Sequence, residues 1–356
     1  MWVRRLLTVN ALLNSTRACA FGSHARATPF PSTLRPWLAS ARIGARASAP
    51  VHDYVRHLRG GSTLGAGVGA RRASTGAPVP HEGVSMFAGA AISAAVIYGL
   101  NGLGCAVSVA DPSLGEKVAD LLGTGAIALS AIVSNVISPA SMNIRVVLAT
   151  VAVVMWGTRL ASFLFVRALN RGGDGRLTGY FTTFPKAFLF WITSATWGWL
   201  TALPQTLLCF STTAAVTPLG PFGAFAAGLV FLGIWTEAVA DWQKWQFKSD
   251  PANKDKWCDV GLWAKCRHPN YASELVIWTS LFALAAHGLD CVLAVAAAAH
   301  GPLFVAGLIL FGSGVPLAEK IADRRYGHLE AFQVYKRETP LLVPRIFPLS
   351  PEPPRA

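Results

Sequence analysis

"GLWAKCRHPNYASEL", residues 261–275, decides how the chain is read. Arg267, His268, Pro269, Asn270, Tyr271 and Glu274 crowd the point where a long apolar run begins. Ionisable groups in an apolar helix are expensive unless they are partnered, and they mark function more often than structure. The surrounding composition sets the context. Of 356 residues, 53% are hydrophobic and 14% charged, where soluble domains carry about 25% charged residues. The expected class is all-α, a polytopic membrane helix bundle.

Working outward, spans of about 20 apolar residues suit a hydrocarbon core roughly 30 Å thick. Such runs fall near 85–109, 119–139, 145–168, 186–210, 220–240, 273–287 and 290–316, which predicts six or seven transmembrane helices. "AAHGLD" (285–290) reads as a hairpin turn, and His300-Gly301-Pro302 interrupts the last run. Most remaining charge lies in 168–185, 241–272 and the tail from 319. Parity places all three on one face. The opposite face receives "STTAAVTPLG" and "HGLD", without Lys or Arg, a positive-inside asymmetry.

The net charge of +13 is concentrated elsewhere. Residues 1–81 hold eleven Arg, no Lys and a single acid, Asp53. An Arg-, Ser- and Ala-rich segment poor in acids has the composition of an organellar transit sequence. "MWVRRLLTVNALL" can form a short basic amphipathic helix, which suits a mitochondrial address. "LLTVNALLNSTRACA" also reads as a signal peptide ahead of a plastid-type transit sequence. An endomembrane location and an ordinary tail complete the options. Residues 1–82 are set apart as a targeting segment and 348–356 as a tail. No basic patch is interleaved with aromatics, so no nucleic-acid partner is expected. Cys258, Cys266 and His268 do not make a tetrahedral metal site, and no metal is expected.

Three polar clusters converge on the charged face. In "WGTRLASFLFVRALNRGGDGR" (156–176), Arg159 lies within an apolar helix and needs a partner at depth. Arg167 and Arg171 either face the site or snorkel to the interface. In "TEAVADWQKWQFKSDPANKDKWCD" (236–259), Glu237, Asp241, Trp245 and Lys248 recur at helical spacing and share one stripe. Carboxylates there suit ribose hydroxyls, and Lys248 and Lys256 suit phosphate; a solvated helix end is the plainer reading. In the opening stretch, Pro269 fits a first helical turn, and free N–H groups beside Arg267 form an anion site. Asn270 suits a carboxamide and Tyr271 a stacked ring. A structural cap accounts for Pro269 and Asn270 but not for Glu274, which requires a hydrogen-bonding or cationic partner.

"FKSDPANKDKWCDVGLWAKCRHPNYASELVIW" (247–278) resembles the signature of the domain-of-unknown-function 1295 group, within the steroid 5α-reductase superfamily. The resemblance runs over roughly 145–347. It includes "WGTRLASFLFVR", "EAVADWQKWQFK" and the tail "GSGVPLAEKIADRRYGHLEAFQVYKRETPLLVP". Residues 83–145 then form a preceding set of membrane helices. The resemblance implies a multi-helix membrane reductase that binds NADPH at the charged end of its C-terminal bundle. Asn270 and Glu274 would contact the cofactor, with Asp241 and Lys248 from the preceding helix. Lys256 would meet phosphate, and Arg325 and Tyr335 of the tail would close the site, alongside Glu319, Arg324 and Tyr326. The Glu and Tyr that polarise an enone in the steroid enzymes lack a counterpart in 85–145, where Tyr98 and Glu116 stand alone.

The reading that follows is NADPH-dependent reduction of a conjugated C=C bond in a sterol- or isoprenoid-type lipid taken from the bilayer. The alternatives are an S-adenosylmethionine-dependent membrane methyltransferase of the isoprenylcysteine or phospholipid type, which carries a similar Arg-His-Pro-x-Tyr core, and a non-catalytic lipid-binding protein.

Overall fold

The computed structural model describes residues 85–344 apart from 174–176 and 178. The proposed targeting segment and the 348–356 tail lie outside the described residues. Within them the chain is helical, and no strand is present. Seven long helices follow in order: α1 (Met86–Ala110), α2 (Pro112–Val136), α3 (Ile144–Arg171), α4 (Phe184–Cys209), α5 (Gly220–Ser249), α6 (Pro269–Ala286) and α7 (Val292–Phe311). Two shorter ones, α8 (Val315–Tyr326) and α9 (Glu330–Glu338), complete the C-terminal part.

Five stretches are long and apolar enough to cross a membrane: α1, α2, α3, α5 and Val292–Tyr326. α4 and α6 fall outside that set, which narrows the expectation of six or seven. The reason is local. α4 is buried on every side from Thr201 to Cys209, so it tolerates Thr201, Gln205, Thr206 and an internal Pro204 where lipid would not. α6 has 18 residues but opens on Pro269, Asn270, Tyr271, Ser273 and Glu274, which lower its apolar character.

Helix ends follow capping chemistry. Asp111 accepts from Leu114 N at 3.0 Å ahead of Pro112, so α2 starts at residue 112 and takes Glu116 into its first turns, earlier than the apolar run at 119. Asn143 caps α3 by accepting from Arg145 N at 2.9 Å. Gly172, at φ 77°, ends α3 in the left-handed conformation that favours glycine. α5 continues past residue 240 to Ser249, so Glu237, Asp241, Trp245 and Lys248 do share one helix. Pro302 lies inside α7 without ending it, and Gly301 beside it packs against α4: a Cβ there would stand 3.0 Å from Leu200 O. The hairpin expected at 285–290 is present between α6 and α7.

Small residues let the helices approach. A Cβ on Gly104 would overlap the Trp191 ring, and one on Gly157 would stand 2.9 Å from Ala128 Cβ. This close approach is how helices associate where lipid removes the hydrophobic drive. The core is completed by the fully buried indoles of Trp156, Trp191 and Trp278.

The end remote from the charged loops holds one cation that the charge pattern did not reveal. Arg145 is 2% exposed. It donates to Leu284 O at 2.8 Å, Pro218 O at 2.7 Å and Leu219 O at 2.9 Å. Carbonyls at the end of α6 and just before α5 are thereby satisfied together, which ties three segments at that end.

Candidate functional site

The ends of α3 and α5, the start of α6 and the α7–α8 junction surround a cleft of about 580 Å³. α3 supplies Leu160, Phe163, Leu164, Arg167 and Arg171, and α5 supplies Glu237, Asp241, Lys244, Trp245 and Lys248. Asn270, Tyr271 and Glu274 come from α6, while Val305, Leu308, Ile309, Ser313 and Gly314 close the facing wall. Trp197 of α4 reaches the cleft as well.

Order along α5 sets the electrostatics. Glu237 and Asp241 lie about three and two turns from its end, Lys244 and Lys248 in the last turns. Arg167 and Arg171 occupy the same level on α3. The inner carboxylates are answered by Arg159, whose Nη1 meets Asp241 Oδ2 at 2.8 Å and whose Nη2 pairs with Glu237 Oε1. The partner that Arg159 requires at depth is therefore a pair of acids from the neighbouring helix. Glu237 is 2% exposed, and its Oε2 has no hydrogen-bond partner among the described residues.

Glu274 also has the partners its position demands. Trp278 Nε1 donates to Oε2 at 2.6 Å and Trp156 Nε1 to Oε1 at 3.3 Å. The two rings meet edge to face with centroids 4.7 Å apart. An indole N–H only donates, so both rings require an acceptor, and the Glu274 carboxylate supplies one oxygen to each. Beside it, the Asn270 side-chain oxygen is buried without a hydrogen-bond partner among the described residues.

Asp241, Lys248, Asn270, Tyr271 and Glu274 are thus brought together. Lys256, Arg267, Arg325 and Tyr335 are not among the cleft's lining residues. Arg267 turns away to pair with Glu319, which also meets His268 Nε2 at 2.6 Å. Lys256 offers its carbonyl, which accepts from Lys248 Nζ and from Tyr326 at 3.2 Å. Arg325 donates to Lys254 O at 2.7 Å and Asp255 at 3.1 Å. Tyr335 donates to Trp263 O at 2.8 Å. Burial, with Cys258 and Asp259 nearby, raises the Tyr335 hydroxyl well above its ordinary value, so it stays a donor to that carbonyl.

These contacts build a strap over the turn before α6. Arg267 N donates to Pro340 O at 2.9 Å and His268 N to Leu341 O at 3.1 Å. Even Lys248, although it lines the cleft, is held by Tyr326 Oη at 3.1 Å and Asn253 O at 3.4 Å. Sequence reasoning passed over Lys244 and Trp197. Lys244 follows Asp241 by three residues and was open to the same stripe argument; nothing in the sequence singles out Trp197.

The sequence profile of the family described as "Protein of unknown function (DUF1295)" matches residues 109–339. The chain belongs to this family. The DUF1295 match begins in the last turn of α1, earlier than the resemblance read from 145, and ends just before the strap residues 340–342. Among curated proteins, the "Probable O-methyltransferase ustE" of Ustilaginoidea virens is 36% identical over 88 residues. That alignment covers 23% of this chain and 31% of the relative, so the chain spans under a third of that protein's length. No solved structure matches.

Proposed function

We propose that this DUF1295 membrane protein is an oxidoreductase that uses NADPH to reduce a conjugated C=C bond in a sterol- or isoprenoid-type lipid. The supporting observation is the order of groups in the cleft. Arg167, Arg171, Lys244 and Lys248 lie toward its outer end, and Asp241, Glu237 and Glu274 lie farther in. Leu160, Leu164, Val305, Leu308 and Ile309 give an apolar wall. A dinucleotide carrying a pyrophosphate and a further phosphate matches the cations, and a lipid matches the wall.

The residues present fit such a cofactor. The unpartnered Asn270 oxygen and the amide nitrogen beside it suit a carboxamide, which both donates and accepts. The unpartnered Glu237 oxygen and Asp241 suit ribose hydroxyls. When bound, NADPH supplies a hydride to the β-carbon of the conjugated system. Tyr271 is the one tyrosine among the described lining residues, so the proton to the α-carbon is assigned to its hydroxyl. Glu274, held by two indoles, orients its neighbours and does not exchange a proton.

A second reading rests on a specific observation, the O-methyltransferase named among the relatives. Under it, the inner carboxylates would attract the sulfonium of S-adenosylmethionine, and the outer cations would face the lipid headgroup. Isotope transfer separates the two. Membranes containing the protein are incubated in parallel with 4-deuterated NADPH and with methyl-deuterated S-adenosylmethionine, and lipids are analysed by mass spectrometry. Deuterium in a new C–H bond of a saturated lipid supports reduction. A trideuteromethyl group on a lipid replaces that reading with methyl transfer.

A further inference from the structure

α8 has two faces of different chemistry. Its inward face carries Val315 and Tyr326, both buried, and Glu319, which holds Arg267 and His268. Its outward face carries Leu317, Lys320, Ile321 and Arg324, a spacing that forms one helical stripe. Leu317 is 47% and Ile321 53% exposed, and Lys320 and Arg324 are exposed beside them.

The cations of this region differ in their pairing. Lys336 meets Asp323 at 2.6 Å and Arg325 meets Asp255 at 3.1 Å. Lys320 and Arg324 have no ion pair or hydrogen bond among the described residues. Two uncompensated positive charges therefore flank two exposed aliphatic side chains.

The position of the stripe follows from α7. Leu303 is 68% and Phe311 84% exposed on that apolar helix, as lipid-facing side chains are. Only Gly312, Ser313 and Gly314 separate Phe311 from α8. The stripe begins where the lipid-facing surface ends. Aliphatic residues flanked by Lys and Arg at that level suit a helix lying in the interface plane, its cations among the headgroup phosphates. Scattered exposed aliphatics alone would need no explanation; the unpaired cations beside them supply the charge complementarity.

We propose that the outward face of α8 binds anionic phospholipid, with Lys320 and Arg324 on the headgroup and Leu317 and Ile321 at the acyl boundary. The inward face of the same helix carries Glu319, so this contact lies one helix width from the turn that precedes the cleft, about 10–12 Å. The assignment does not depend on which cofactor the cleft takes.

Hydrogen exchange of the full chain in nanodiscs tests it, without cofactor. Discs of phosphatidylcholine alone are compared with discs that also contain phosphatidylglycerol, at low and high salt. Amides of 315–326 are expected to exchange several-fold more slowly with phosphatidylglycerol at low salt. High salt should abolish the difference, since it screens exposed charges. So should Lys320→Gln with Arg324→Gln, while Lys254→Gln with Lys265→Gln should preserve it. Equal exchange in both discs would overturn the proposal, as would a lipid effect that survives in the α8 variant or vanishes equally in the control. Inorganic phosphate slowing the same amides in phosphatidylcholine discs would replace the lipid surface with a free-phosphate site.

Discussion

Trp278 donates its indole N–H to Glu274 one turn earlier on α6, at 2.6 Å. Trp156 of α3 reaches the other oxygen of the same carboxylate at 3.3 Å. Glu274 is thus the point at which α3 and α6 are joined beneath the cleft. Removing it strands two indole donors, and an unsatisfied buried donor costs about 1–3 kcal/mol. Glu274→Ala should therefore lower thermal stability clearly in detergent, and Glu274→Gln by less, because the amide keeps one acceptor oxygen. Equal losses for the two substitutions would show that the indole contacts do not matter.

Arg159 answers both Glu237 and Asp241. Breaking a buried ion pair from one side costs roughly 3–5 kcal/mol, whereas replacing the whole set is far milder. Arg159→Met should destabilise by about that amount, and Arg159→Met with Glu237→Gln and Asp241→Asn should recover much of it. Additive losses across the three substitutions, measured as unfolding midpoints, would contradict the pairing.

At the opposite end, Asp290 accepts from Ser211 Oγ and Thr213 N, each at 2.7 Å, and from Thr212 N at 3.2 Å. Partial burial pushes its pKa up, but the Ser211, Thr213 and Thr212 donors outweigh burial and hold it below the ordinary carboxylate value. A carboxylate with a depressed folded pKa stabilises above its unfolded pKa of about 3.9 and loses that contribution as pH falls through the folded value. Asp290→Asn should therefore melt below the wild type at neutral pH, and the two curves should converge in acid. A constant gap down to the lowest accessible pH would refute the assignment.

The thiols differ in reach. Burial pushes Cys258 and Cys266 up from their ordinary value, and Cys291 is exposed at the α6–α7 turn. Since the thiolate is the reactive form, brief alkylation followed by peptide mapping should label Cys291 well before Cys258 or Cys266. Labelling of Cys266 at the same rate would mean that the strap at 340–342 opens freely.

Tyr271→Phe separates proton delivery from binding. It should leave cofactor affinity within a few-fold and lower turnover by 10²–10⁴, the usual range for a general acid. Unchanged turnover would return the proton to water.

Much of this arrangement was legible in the sequence because membrane physics leaves few options. An ionisable group in an apolar run must have a partner, so Arg159 and Glu274 announced pairs before their partners were known. Glu237, Asp241 and Lys248 shared a stripe because four-residue spacing survives in any straight helix. The partners themselves were not legible: Trp156 lies on α3 and Trp278 looked like one more apolar residue. Arg267 read as an anion ligand beside the free N–H groups of the helix start, and Arg325 as a closing group implied by the resemblance; folding pairs them with Glu319 and Asp255, which nothing local in the sequence indicates. Lys244 was missed although its spacing from Asp241 was visible.

The most direct measurement is ligand-dependent stability of the full chain in detergent, with NADPH, NADH and S-adenosylmethionine titrated in parallel. A ligand that binds only the folded state adds about 2.7 kcal/mol at 100 times its Kd. The account predicts that NADPH raises the unfolding midpoint, that NADH does so less, and that Asn270→Ala and Lys244→Ala each weaken the NADPH response. Stabilisation by S-adenosylmethionine alone, or by none of the three, would contradict it.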